Sequence, residues 1–365
     1  MRHTYMNTRP PTKTRTSFVL TTVIGLFALA CAVMTTTPAE ATYAGQNGRI
    51  AFRRFLDLDQ TTGAVFTTRP DGTREFQVTH PAPGFVDRNP DVSPDGRRIV
   101  FQREGPTMED VFVVNSDGTY LRQLTDTAFP DGNCLPGSGE CNGSPAWSND
   151  GGRIVFSRAF GPVVDDLVET DALFVMRADG THVRQLTQLH PPATGAMGED
   201  DEPQLSPDGT HLLFQRHNVR TAEPNGAVAL WILDLRTGRQ HRITPYRLQA
   251  GDTPDWSPDG KKILFHDNLD TPDGNANLYT IRPDGSHLRQ LTFADDGLTR
   301  YLGSSFSPDG KWITAGKRPS TGGPDLNTAD VVIMRANGTG ERLVTRTELY
   351  DSYPDWGPGT FGHLH

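Results

Sequence analysis

Short apolar runs separated by turns rich in Gly, Pro and Asp recur through residues 47–357. Each recurrence holds up to four runs. The first is of the P-x-W-S type, at 145–148, 254–257 and, truncated, 354–357. The second is an apolar triplet after a D-G turn, at 99–101, 154–156, 212–214 and 263–265. The third lies at 111–114, 173–176, 230–233, 278–281 and 331–334, and the fourth, of the R-Q-L-T type, at 122–125, 184–187 and 289–292. The runs are β-rich, and all but the fourth are apolar at successive positions, which predicts strands in sheets buried on both faces.

The turns agree with that prediction. S-P-D-G links the first run to the second, and R-P-D-G, S-D-G, A-D-G or A-N-G links the third to the fourth. Proline presets φ, Asp or Asn caps the turn, and Gly takes a position with φ > 0. Each unit is therefore expected to be a four-stranded antiparallel meander. A period near fifty residues points to a propeller or an array. The ends of the pattern favour the propeller: N-G-R-I-A-F at 47–52 reads as a second run with no first run before it, and Y-P-D-W-G at 353–357 as a first run with nothing after it. One completes the other, removing the open sheet edge. Taking Ser93, Ser148, Ser206, Ser257, Ser307 and Gly357 as equivalent gives six blades, spaced 55, 58, 51, 50 and 50 residues apart. The expected fold is an all-β, six-bladed propeller closed by pairing N- and C-terminal strands in one blade.

The S-P-D-G…R-Q-L-T units resemble the PD40 (WD40-like) repeats of TolB-type propellers over about residues 47–357. The resemblance implies the propeller fold. The chain departs from that family in having no counterpart of its N-terminal domain, which takes part in Tol-system partner contacts, so a Tol-type role is not implied.

Of the 44 acidic and 35 basic residues, residues 45–365 carry 43 and 31. A nucleic-acid binder needs a basic surface, so that class is excluded. Residues 1–44 read as an export signal: basic residues, an uncharged apolar run at 18–34, then A-E-A at 39–41. An uncleaved anchor, or a lipid on Cys31, are the alternatives and the expected routes to a membrane. The domain limits are then 1–44 for the signal, 45–358 for the propeller and 359–365 for a short tail. A secreted, periplasmic or cell-envelope location follows, and in an oxidising compartment Cys134 and Cys141 are expected to form a disulfide.

The turns inside each meander are uniform, whereas the remaining connections vary and emerge on the opposite face. Function borne on loops over a rigid scaffold points to that variable face. Just before the first runs lie Asp87, Asn142, Asp200, Asp201, Glu202, Asp252, Tyr301 and Asp351. They are expected to ring the channel mouth and focus negative potential on a cationic peptide, or on calcium or another divalent cation. Neither G-x-S-x-G nor H-E-x-x-H occurs. The expectation is a monomeric, non-enzymatic scaffold that binds a protein or peptide and needs no cofactor. The alternative is a metal-dependent, carbohydrate-active propeller similar to oligogalacturonate lyases, with His190, His217 and His266 near the metal.

Overall fold

Turn chemistry and apolar runs translate into twenty-four strands among the described residues. The computed structural model describes residues 45–106, 108–126, 140–160, 170–188, 198–218, 227–267, 276–294, 299–318 and 328–359. All belong to one compact unit, Pro38–His365. The expected signal with Cys31, and the tail from 360, lie outside the described residues. Among those residues no helix is long and apolar enough to cross a membrane.

The strands make a propeller arrangement of antiparallel sheets. In chain order they begin with β1 (Asn47–Phe55), β2 (Gly63–Thr68) and β3 (Phe76–Gln77). A second group is β4 (Val86–Val92), β5 (Arg98–Gly105), β6 (Met108–Asn115) and β7 (Arg122–Gln123). Next come β8 (Glu140–Trp147), β9 (Arg153–Phe160), β10 (Thr170–Arg177) and β11 (Arg184–Gln185). They are followed by β12 (Gly198–Leu205), β13 (His211–Asn218), β14 (Ala227–Asp234) and β15 (Gln240–Arg242). Then β16 (Ala250–Trp256), β17 (Ile263–Asp267), β18 (Leu278–Ile281) and β19 (Arg289–Gln290) precede β20 (Arg300–Phe306), β21 (Trp312–Arg318), β22 (Asp330–Arg335) and β23 (Arg342–Leu343). The last strand, β24 (Asp351–Pro358), lies antiparallel to β1, with Ile50 opposite Trp356 and Arg54 opposite Asp351.

The groups starting at β8, β12, β16 and β20 are separate four-stranded sheets. The remaining eight strands form one sheet, where the repeat count leads one to expect two. They are joined by a single parallel pair, Gly63 with Val86. A Cβ on Gly63 would come within 2.9 Å of a Val86 methyl, so the missing side chain lets β2 and β4 approach.

Two recurring local devices hold each meander. The Ser Oγ of the turn donates to the Asp two residues on, at 2.6, 2.5, 2.7, 2.8 and 2.7 Å for Ser93, Ser148, Ser206, Ser257 and Ser307. The final Thr of the fourth run reaches back to the third strand. Thr79, Thr125, Thr187, Thr244, Thr292 and Thr345 Oγ1 each accept a backbone N–H there, at 2.8–3.0 Å. These hydroxyls are buried and so replace water for N–H groups that a two-residue outer strand leaves uncovered.

Between neighbouring sheets the apolar triplets interdigitate in five buried seams, and a sixth lies inside the eight-stranded sheet, between β1–β2 and β4–β6. Leu213, Leu230 and Ile232 meet Trp256, Ile263 and Phe265, for example, while Val331 and Ile333 meet Ile50, Phe52 and Trp356. The tryptophans Trp147, Trp256 and Trp356 lie in these seams, 2–3% exposed. Trp256→Ala should therefore cost about 3–5 kcal/mol in equilibrium urea unfolding, with no loss of native secondary structure before the transition.

Candidate functional site

Each innermost strand carries one residue with left-handed backbone at a break in its pairing register. These are Asn89 (φ 49°), Ser144 (45°), Glu202 (51°), Thr253 (47°), Gly303 (62°) and Tyr353 (51°). Five are not glycine, and each of those five precedes a proline. The conformation costs on the order of 1 kcal/mol for each such residue. It brings side chains from different sheets together at one level. Asn89 Nδ2 donates to Glu202 Oε1 at 3.2 Å and approaches Ser144 Oγ at 3.5 Å. Gly303 fits because a Cβ there would lie 2.8 Å from Tyr353 Cα.

Asn89, Ser144, Glu202 and Tyr353 line two cavities, one on either side of this collar. The inner chamber is lined by Asp91, Asp255 and Asp355 and by the prolines that follow the collar residues. Each carboxylate braces a neighbouring strand. Trp147 N–H donates to Asp91 at 3.3 Å, Phe306 N–H to Asp255 at 2.6 Å, and Val92 N–H to Asp355 at 2.8 Å. Burial holds Asp91 well above the usual carboxylate range, helped by the charges of Asp355 and Asp255. Burial does the same to Asp255, again with Asp355 adding, and pushes Asp355 up to about 6.

The outer cavity holds about 840 Å³ of space open to solvent. Arg53 and Arg88 line it along with Glu109, Asp171, Asp201 and Glu202. It is thus bipolar, where a uniformly acidic mouth was expected.

The expected ring of acidic residues divides in the structure. Asp87, Asp200 and Asp351 are fully buried and each is gripped by a guanidinium on the adjacent strand: Arg103 at 2.6 Å, Arg216 at 2.5 Å and Arg54 at 2.7 Å. Each Arg also lies over the phenylalanine two residues before it. Asn142 takes the Asp place opposite Arg158, accepting from Nε at 2.7 Å, and Tyr301 lies under the ammonium of Lys317. These positions are cross-strand clasps rather than a solvent-facing ring, because their carboxylates are neutralised and desolvated in place. Asp201 and Glu202 do reach the mouth cavity. Asp252 lies in β16, its side chain outside the described residues.

The sequence reading passed over both the Phe-x-Arg spacing that supplies the clasps and Arg53, the residue just before one of them. The signal was available: Phe52, Phe101, Phe156 and Phe214 are each followed two residues later by Arg. Cys141 is buried and disulfide-bonded, while its expected partner Cys134 lies outside the described residues. His190 lies outside them too. His217 Nε2 meets Gln215, and buried His266 meets the Asp267 carbonyl. Among the described residues no three or more His, Cys, Asp or Glu are placed to hold a metal.

The architecture has counterparts among known proteins. The chain is similar to TolB from Acinetobacter baumannii with a TM-score of 0.64 at 19% identity, over 85% of this chain and 67% of that one. The fold is that of a TolB-like β-propeller. No family model matches the chain. In sequence, the propeller is 31% identical over 113 residues to the uncharacterized peptidase YuxL of Bacillus subtilis (strain 168), covering 31% of this chain and 16% of YuxL. It is 26% identical over 148 residues to dipeptidyl-peptidase 5 of Porphyromonas gingivalis, covering 40% of this chain and 20% of that protein. The matched region thus spans a fifth or less of either peptidase. These two matches overturn the expectation of a non-enzyme, which rested on missing motifs, since both proteins are named as peptidases. A further relative, 29% identical over 154 residues and covering 42% of this chain and 47% of its own length, is the uncharacterized protein Atu1656 of Agrobacterium fabrum.

Two outcomes test the site's electrostatics. Asp87→Asn should cost about 3 kcal/mol by stranding a buried guanidinium, and adding Arg103→Met should restore part of that loss; a urea double-mutant cycle with no coupling would refute the clasp. The inner carboxyls bind protons more readily folded than unfolded. Their contribution is fully present below the ordinary carboxylate range, about pH 4, and is lost as pH rises through the raised folded values, about 6 for Asp355. Asp355→Asn should therefore raise the melting temperature at pH 7.5 more than at pH 5, as read by calorimetry.

Proposed function

We propose that the chain is a six-bladed, ring-closed TolB-like propeller that binds a peptide, free or as an extended segment of a larger protein, in its channel mouth. In this reading the propeller supplies the peptide-binding step of peptidase-type chemistry outside the cytoplasm. Two observations support six blades. Within the eight-stranded sheet the strand pairing between β2 and β4 is the single pair Gly63–Val86, and parallel bridges of the same kind, Ala276–Arg300 and Ala329–Tyr350, link otherwise separate sheets. The six seams each join one meander to the next, including the one between β22 and the β24–β1–β2 group. Closure is supported by the β1–β24 pairing and its buried Arg54–Asp351 clasp.

The observation that carries the binding reading is the outer cavity. A peptide brings both signs of charge and a polar main chain, and this cavity opposes Arg53 and Arg88 to Asp201 and Glu202 above a polar collar. Strain in five non-glycine collar residues is the kind of local cost that persists at functional sites. Names of the sequence relatives point to peptides as substrates. The location rests on the basic and apolar residues of 1–44.

A random-sequence hexapeptide pool passed over the immobilised full chain tests this. The wild type should retain peptides, and the Asn89→Ala, Glu202→Gln variant should retain about fivefold less, on the scale of one or two lost polar contacts. Equal retention by folded wild type and variant, or none by either, would refute the reading.

A further inference from the structure

Arg53 stands apart from the other buried arginines. It is 7% exposed, yet among the described residues no carboxylate lies within ion-pair distance of it. Its neighbour Arg54, by contrast, is clasped by both Asp351 and Glu75. Arg53 Nη2 donates to Ser352 Oγ at 2.7 Å, and Nε is buried without a hydrogen-bond partner. Aromatic rings enclose the guanidinium: Phe55 at 4.5 Å, Tyr353 at 4.8 Å and Tyr350 at 5.8 Å. Arg88 faces the same cavity and pairs with Glu104, but its Nε is likewise buried and unsatisfied.

Of the carboxylates on this side, Glu104 pairs with Arg88 and Glu109 accepts from Gln102, which leaves Arg53 without an ion-pair partner among the described residues. Burying a guanidinium without a counter-ion is costly, as the lowered affinity of Arg53 for its proton through desolvation reflects. Rings provide a partial remedy through their negative faces, while the unmet N–H groups call for an acceptor. A planar carboxylate meets a guanidinium fork with two parallel hydrogen bonds, which suits it to this place.

We propose that Arg53, assisted by Arg88, is the carboxylate-recognition point of the mouth cavity, binding the C-terminal carboxylate of a peptide. Asp201 and Glu202, which line the same cavity, are then left to the peptide's basic or amino groups. This inference rests on the peptide-binding reading and adds direction: the peptide enters with its C-terminus toward β1 and β4.

The test uses the same immobilised full chain with hexapeptide pools made as free acids and as C-terminal amides, retained members being identified by mass spectrometry. Wild type should retain the acid pool about tenfold or more over the amide pool, on the scale of one charge-assisted bidentate contact. Arg53→Gln should abolish that preference, Arg88→Gln should reduce it, and Arg53→Lys should keep part of it. Thermal melts verify folding, and the half-exposed Arg88 supplies a readable variant if Arg53→Gln fails to fold. Equal retention of acids and amides overturns the carboxylate assignment while leaving peptide binding in place. Retention of amides only when they contain Asp or Glu overturns the terminal assignment in favour of a side-chain carboxylate. No retention of either pool sinks the peptide reading and this inference together.

Discussion

The left-handed residue in the first strand of each repeat is the constraint on which both cavities depend. An extended strand sends successive side chains to opposite faces, so a blade built only of regular strands would offer its neighbours and the channel a fixed alternation. One residue with positive φ at a register break changes that phase once, at the same level in all the inner strands. The residues before it, such as Asp87 and Asp200, are then free to pair across their own sheet. Those after it, such as Asp91 and Asp255, turn to brace the next. The seams supply the apolar burial that keeps five non-glycine residues in this conformation.

Charge follows the same geometry. Carboxylates before the bulge are neutralised by arginines stacked on the core phenylalanines, and those after it are buried where proton binding is favoured. What remains for a ligand is the mouth, where the two signs face each other instead of forming one acidic field. A propeller with a net negative charge can thus place arginines at a cavity that both signs line. Overall charge describes the long-range field, and the buried pairs decide what a bound group meets.

Much of this fold was legible in the sequence because turn chemistry is local. S-P-D-G and the final Thr of R-Q-L-T act within a few residues, and the structure places them in hydrogen bonds of nearly constant length. The tryptophans were legible as core from their single repeat position. The collar was not, because Asn89, Ser144, Glu202, Thr253 and Tyr353 share no side-chain chemistry; only their backbone is alike. The acidic positions were misread for a related reason. An Asp before a strand looks like a solvated turn until its cross-strand partner is known, and that partner lies 16 residues away for Asp87 and 297 away for Asp351. Arg53 was hidden beside Arg54, since two adjacent arginines on a strand point to opposite faces and meet different surroundings.

The pairing of β1 with β24 has a temporal side. The edge partner of β1 is made about three hundred residues after it, and with it Asp351, which lies 297 residues from Arg54, whereas Glu75, the other carboxylate on Arg54, lies only 21 away. Until then Ile50 and Phe52 lack Trp356, and one edge of β1 stays unpaired. Contacts this distant in sequence slow folding, because the loop between them must be ordered before they return any energy. During synthesis that edge of β1 therefore stays unpaired until β24 has been made. A chain stalled or clipped before Asp351 keeps its other meanders and their local turns, yet exposes a β-edge suited to pairing with another copy.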